Sequence, residues 1–113
     1  MPEIVKGVSF DTIAREWRFK WSPENEKKSL EEAQQLLEEV LPEVKSVDGV
    51  VDIRRTVCGG CLDFKVSTVL PAEKFGEWEK KGFAPEQVFL DKASKISGIS
   101  QIETQTYTIA SMM

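Results

Sequence analysis

The sequence predicts an α+β protein of β-α-β-β-α-β order, with a four-stranded antiparallel sheet and helices on one face. Three observations carry this. Residues 11–22, "DTIAREWRFKWS", alternate apolar and polar side chains with a period of two, the pattern of a strand with one buried face. From Ser29 onward, apolar residues recur at helical spacing. Around Gly59-Gly60, two strand-like runs bring their apolar positions to the same side when one is folded onto the other.

Each element has its own justification. In the first strand Ile13, Trp17, Phe19 and Trp21 form the apolar side, and Thr12, Glu16, Arg18 and Lys20 the polar one. Ser29-Leu30-Glu31-Glu32 offers a serine N-cap with a glutamate three residues on, a capping box that starts the first helix. Leu30, Ala33, Leu37, Val40, Leu41 and Val44 are its buried stripe, and Pro42 is expected to kink or end it near Leu41. Gly59-Gly60 predicts a two-residue type I' turn, since both central positions there need positive φ. Cys58 then faces Cys61, Val57 faces Leu62, Arg55 faces Phe64 and Ile53 faces Val66. Thr56, Asp63, Arg54, Lys65 and both cysteines take the opposite side.

A broken helical region follows Pro71, anchored by Phe75 and Trp78 up to Gly82. Pro85 suits the first position of a second piece in which Val88, Phe89, Leu90, Ala93 and Ile96 are spaced for burial. Residues 100–111, "SQIETQTYTIAS", are rich in Thr and Ile and read as the closing strand. At 113 residues the chain suits one domain over 1–113, with 1–8 as a loose N-terminal arm.

Composition narrows the chemistry. A net charge of −4 and a pI near 4.9 disfavour a nucleic-acid partner, which needs clustered Lys and Arg. No apolar run is long enough for a signal peptide or membrane span, so a cytoplasmic protein without a membrane partner is expected. The chain has no histidine, which removes the commonest general acid-base group near neutral pH and the commonest zinc or haem ligand.

The two cysteines, Cys58 and Cys61, make a lone C-x-x-C. Zinc wants four ligands and this motif offers two, so no metal is expected within one chain. A redox pair lacks the helix that follows a thioredoxin-like motif, although facing residues across a hairpin are close enough for a disulfide. The favoured reading is two small free thiols flanking a turn in a reducing compartment.

The N-terminal strand, the glutamate-rich helix running into "LPEVKSVDGVVDIRR", the strand pair, the two-piece "KFGEWEKKGFAPEQVFLDKASKI" and the closing "IETQTYTI" together resemble the dimeric α/β-barrel superfamily. Within it the likeness is to the stress-responsive A/B-barrel and antibiotic-biosynthesis-monooxygenase-like groups, from about Ser9 onward. The resemblance implies a ferredoxin-like fold paired into a homodimeric barrel whose interior holds a small molecule. Activities in that superfamily include cofactor-independent oxygenation, polyketide cyclisation and haem degradation, and some members have no known catalysis. The plant cyclase branch carries a His-Pro-Ala-His type motif where this chain has Gly82-Phe83-Ala84-Pro85-Glu86-Gln87-Val88, so that histidine's role does not carry over.

Two sets of residues are candidates for a site that uses no cofactor. The aromatics Trp17, Phe64, Trp78 and Phe89 are candidate cavity walls, with core packing the favoured alternative. The charged sheet side carries Glu16, Arg18, Lys20, Arg54, Asp63 and Lys65. If a second sheet encloses that side, Glu16 or Asp63 becomes a candidate general base, Arg18 or Arg54 an anion partner, and Tyr107 a hydrogen-bond donor. The expected ligand is small, partly apolar and bound between sheet and helices. The expected role is a binding or stress-associated module; the alternatives are a cyclase or monooxygenase and a thiol or metal module on Cys58 and Cys61.

Overall fold

The computed structural model describes all residues 1–113. A short hairpin, β1 (Glu3–Val5) with β2 (Val8–Ser9), precedes the domain. Then come β3 (Thr12–Lys20), α1 (Glu24–Lys45), β4 (Asp52–Val57), β5 (Asp63–Pro71), α2 (Ala72–Lys80), α3 (Glu86–Ala93) and β6 (Ser100–Ile109). The sheet order is β4-β5-β3-β6, antiparallel throughout, with the helices on one face. This is the predicted ferredoxin-like arrangement. The hairpin replaces the loose arm at residues 1–8; Gly7, at φ 84°, makes its turn.

The helix-side face is dry. Trp17, Phe19, Phe64, Val66 and Leu70 of the sheet meet Ala33, Leu36, Leu37, Val40 and Val44 of α1, together with Phe75, Trp78, Phe89 and Ala93 of α2 and α3. Phe19 stacks on Phe64 with ring centroids 5.0 Å apart, and Trp17 on Phe89 at 5.1 Å, so aromatic rings fill the space between the layers.

Five local expectations are corrected. Ser29 does not cap α1: its Oγ accepts from the Ser22 N–H at 2.9 Å and donates to the Ser22 carbonyl at 3.1 Å, pinning the helix start to the end of β3. Residues Asn25, Glu26 and Lys27 ahead of it form a left-handed turn with φ of 53–64°. Pro42 does not end α1, which runs on to Lys45. Val88, expected to be buried, is exposed, while Leu36 joins the core.

The fourth correction is the hairpin between β4 and β5. Val57 faces Phe64, Arg55 faces Val66 and Ile53 faces Thr68, two residues beyond the expected register. A slip of two keeps every side chain on its expected face, so the pattern of alternation was right and the turn was wrong. The left-handed residue is Leu62, at φ 62°, and neither Gly59 nor Gly60 has positive φ. The loop is longer than a two-residue turn because Cys58 pairs with Asp63, its N–H donating to the Asp63 carbonyl at 3.0 Å. Cys58 and Cys61 are not free thiols; they are joined by a disulfide, with Cα atoms 5.6 Å apart.

Candidate functional site

Alternation sends every second residue of the sheet away from the helices, and the four strands together compose a polar face there. Glu16 on β3 lies opposite Ser67 of β5 and Gln105 of β6, and Arg18 lies opposite Lys65 and Glu103. Tyr107 sits one pair along, opposite Ala14, close enough to reach Glu16 diagonally. The Tyr107 hydroxyl donates to Glu16 Oε1 at 3.2 Å and lies 3.1 Å from Ser67 Oγ. Arg18 Nη1 stands 3.5 Å from the other Glu16 oxygen, and its Nη2 is 3.5 Å from Asp63 Oδ2. Lys20 Nζ closes on Asp63 Oδ1 at 2.6 Å, with Lys65 Nζ at 3.9 Å from Oδ2. One connected network thus runs Ser67–Tyr107–Glu16–Arg18–Asp63–Lys20 across three strands.

The network is shielded even though no helix covers it. Glu16 is 7% exposed and Asp63 8%. Such carboxylates persist only when hydrogen-bonded or paired, and each has both. Lys20's hydrogen bond, then the charges of Lys20, Arg18 and Lys65, hold the Asp63 carboxyl below its ordinary value, against the opposing effect of burial. Burial raises the Tyr107 phenol above its ordinary value; Glu16's charge and hydrogen bond add to this, and the Ser67 hydroxyl opposes it. At neutral pH the site therefore holds a charged Asp63 and a neutral, donating tyrosine.

Beside the network lies a concavity of about 400 Å³, walled by Thr12, Arg54, Ser67, Val69, Tyr107 and Ile109. Its wall mixes aliphatic carbons with the Tyr107 and Ser67 hydroxyls. Arg54 stands on the rim, its Nε donating to Asp52 at 2.6 Å, and that bond holds the Asp52 carboxyl below its ordinary value. A larger groove of about 660 Å³ between α1 and β4 is lined mainly by polar residues such as Glu31, Gln34, Glu38 and Arg55. No buried polar group converges on that groove, so the sheet face is the better candidate.

Of the residues singled out from sequence, the structure brings Glu16, Arg18, Asp63, Lys65 and Tyr107 together, with Arg54 at the rim. Trp17, Phe64, Trp78 and Phe89 lie in the core under the helices, each at most 3% exposed, and none lines the concavity. The space expected to receive a ligand between sheet and helices is filled by these rings. Lys20, already placed on the charged side, joins the network, and Ser67 is an additional member; it shares the strand parity of Asp63 and Lys65, which was the signal available.

A second polar cluster lies on the helix side. Arg15 Nε and Nη2 donate to the two Glu86 oxygens at 2.7 and 3.2 Å, Nη1 donates to Thr106 Oγ1 at 2.8 Å, and the guanidinium lies 4.2 Å from the Phe83 ring centroid. The Trp17 indole N–H donates to the same Glu86 at 2.7 Å. The donors here are matched to one carboxylate, and the cluster fastens the start of α3 to the sheet.

A four-stranded antiparallel ferredoxin-like sheet with helices on one face is the fold that this chain shares with antibiotic-biosynthesis-monooxygenase-like and dimeric ferredoxin-like structures. Among solved structures, the chain is similar to a monooxygenase from the gene ActVA-Orf6 of Streptomyces coelicolor, determined with nanaomycin D. That match has a TM-score of 0.65 and 12% identity, over 92% of this chain and 91% of that one. It is also similar to SnoaB, a cofactor-independent oxygenase from Streptomyces nogalater (TM-score 0.57, 16% identity, 91% and 97% covered). A dimeric ferredoxin-like protein from an uncultured marine organism matches with TM-score 0.55 and 15% identity over 91% of each chain. At these identities the likeness shows the fold. No protein-family model matches the chain, and no curated protein does. No helix is long and apolar enough to cross a membrane.

Proposed function

We propose that this chain is a cytoplasmic small-molecule-binding protein that works as a homodimer, two open sheet faces meeting to enclose the Ser67–Tyr107–Glu16–Arg18–Asp63 network. The observation that carries the reading is the shielded Glu16–Tyr107 pair on a sheet face that no helix covers, beside a concavity of about 400 Å³. The mixed wall suits a small, partly apolar ligand: Val69 and Ile109 meet its carbon skeleton, and Tyr107, Ser67 and Arg54 meet its polar edge.

Binding without strong catalysis is the primary role. The same pair supports a second reading, a cofactor-independent oxygenase or cyclase acting on an aromatic or polyketide-like substrate. Glu16 would take a proton from an acidic C–H or phenolic O–H, and Tyr107 would donate to the developing oxyanion. The similarity to two oxygenases of this fold adds to that reading.

Native mass spectrometry of the protein purified from its own source, paired with sedimentation, tests the proposal. A dimer carrying a discrete small-molecule mass that is lost on denaturation is expected. A bare monomer at micromolar concentration overturns it. A Glu16→Gln variant that binds the recovered molecule but no longer converts it would select the catalytic reading.

A further inference from the structure

The C-G-G-C tip is not absorbed by the ligand-binding reading, and its two sulfurs have different surroundings. The Cys61 N–H donates to Cys58 Sγ at 3.1 Å, a contact that favours negative charge on Cys58. Cys61 Sγ lies 3.4 Å from Asp63 Oδ2, a contact that disfavours charge on Cys61. Cys61 is the exposed residue and Cys58 the half-buried one. Lys20 Nζ donates to the Cys61 carbonyl at 2.7 Å while pairing with Asp63, and Lys65 and Arg18 stand beyond it. The tip is thus locally basic in a chain of net charge −4.

From this asymmetry we propose that Cys58 and Cys61 form a dithiol–disulfide exchange site for a small anionic thiol, with Cys61 the sulfur attacked and Cys58 the leaving thiolate. The incoming thiolate RS⁻ bonds to Cys61 Sγ, the Cys58–Cys61 bond breaks, and its electron pair leaves on Cys58, where the Cys61 N–H receives it. A second RS⁻ attacks the R sulfur of the mixed disulfide. RSSR departs and Cys61 leaves with the bonding pair. The two protons released when RSH ionises pass to the protein sulfurs or to solvent, so two RSH are oxidised as one protein disulfide is reduced.

Lys20 and Lys65, the lysines nearest the tip, attract the anionic reagent and offset the Asp63 charge that would repel it. The hairpin does not depend on the disulfide, because the β4–β5 ladder and the Cys58 N–H to Asp63 carbonyl bond hold it in either state. A reversible disulfide of this kind is what a reducing compartment permits, since disulfides there are transient or catalytic.

The test uses the full chain in mixtures of reduced and oxidised glutathione, followed by acid quench and mass measurement. A two-hydrogen transition inside the range of ratios is expected; a chain that stays dithiol in oxidised glutathione alone, or stays oxidised in reduced glutathione alone, overturns the proposal. The reduced protein is then alkylated with iodoacetamide at pH 7, with peptide mapping. Cys58 should react about tenfold faster than Cys61. Equal rates or the reverse order overturn the assignment of roles. Asp63→Asn should narrow the ratio by raising the Cys61 rate, and an unchanged ratio refutes the part given to that carboxylate. Cys61→Ser keeps the residue 61 amide, so Cys58 should still be alkylated faster than an ordinary exposed thiol at pH 7. Reversion of Cys58 to ordinary thiol behaviour there also refutes the proposal, whatever the fate of the Asp63 variant.

Discussion

Replacing Tyr107 by Phe removes one hydroxyl from the middle of the open-face network and leaves the ring in place. The lost interaction is a hydrogen bond to a charged acceptor at 3.2 Å, a class worth about 1.5–3 kcal/mol. The long distance and the open face argue for the lower end, about 1.5 kcal/mol. At fixed protomer concentration that loss lowers Tm by about 6 °C for a domain of this size. A double-mutant cycle with Glu16→Gln isolates the pair, because Gln keeps the shape and removes the charge. The coupling should be about 1 kcal/mol, the difference between hydrogen bonds to charged and neutral acceptors. Urea unfolding supplies both numbers. Tyr107 is also the only tyrosine, so tyrosinate absorbance reports it alone. Its titration should lie above the ordinary phenol range in the wild type and move down in Glu16→Gln, where the neighbouring charge is gone. Equal stability of Tyr107→Phe and the wild type, zero coupling, and a Tyr107 titration unmoved by Glu16→Gln would refute the network.

Glu86→Ala leaves the Arg15 guanidinium and the Trp17 indole N–H without their acceptor; a cost of about 3 kcal/mol is expected from a broken, mostly buried ion pair, measured by urea unfolding, and a loss under 1 kcal/mol would mean water replaces the carboxylate freely. The depressed Asp63 value gives a pH dependence: its contribution is complete above the unfolded carboxyl value of about 4 and is lost as pH falls through the lower folded value. Tm followed from pH 5 to 2 should therefore fall less steeply in Asp63→Asn than in the wild type, and parallel curves would contradict the pairing with Lys20. Thr68 is 1% exposed and its Oγ1 is the one buried side-chain oxygen without a partner. Thr68→Val should therefore stabilise the protein by about 1 kcal/mol in thermal unfolding, and a clear loss would reveal a partner for that hydroxyl.

What was legible in the sequence followed the range of the physics. The alternation of Trp17, Phe19 and Trp21 against Glu16, Arg18 and Lys20 assigns faces, because side chains on a strand have no third direction to point. That rule carried the site as well: Glu16, Arg18, Asp63, Lys65 and Tyr107 meet because face parity and strand order leave them together. Parity says nothing about distance along a strand, and the β4–β5 register was accordingly two residues off. The turn chemistry that sets it depends on Leu62, not on the glycines that signalled the turn. The capping box at Ser29 failed for a related reason: its hydroxyl found the Ser22 backbone, a partner in the connection after β3 that a local motif does not count.

The Arg15–Glu86 pair marks the outer limit of such reading and also shows how to extend it. Arg15 sits at an apolar-face position between Ile13 and Trp17, where an unpaired cation is too costly to bury, so its presence alone demands a carboxylate from whatever covers that part of the sheet. The second helical region must cover it, and the acid at its start is Glu86. The open face has the inverse logic. There the charges are already matched among themselves, through Arg18 between Glu16 and Asp63. Only the Tyr107 edge of the network, beside Val69 and Ile109, abuts empty space. A ligand that enters meets a neutralised floor, so shape and the few hydroxyls would govern selectivity more than charge. Substituting Val69 or Ile109 should consequently alter which molecule is retained more than substituting Lys65 does, which native mass spectrometry of the variants would read directly.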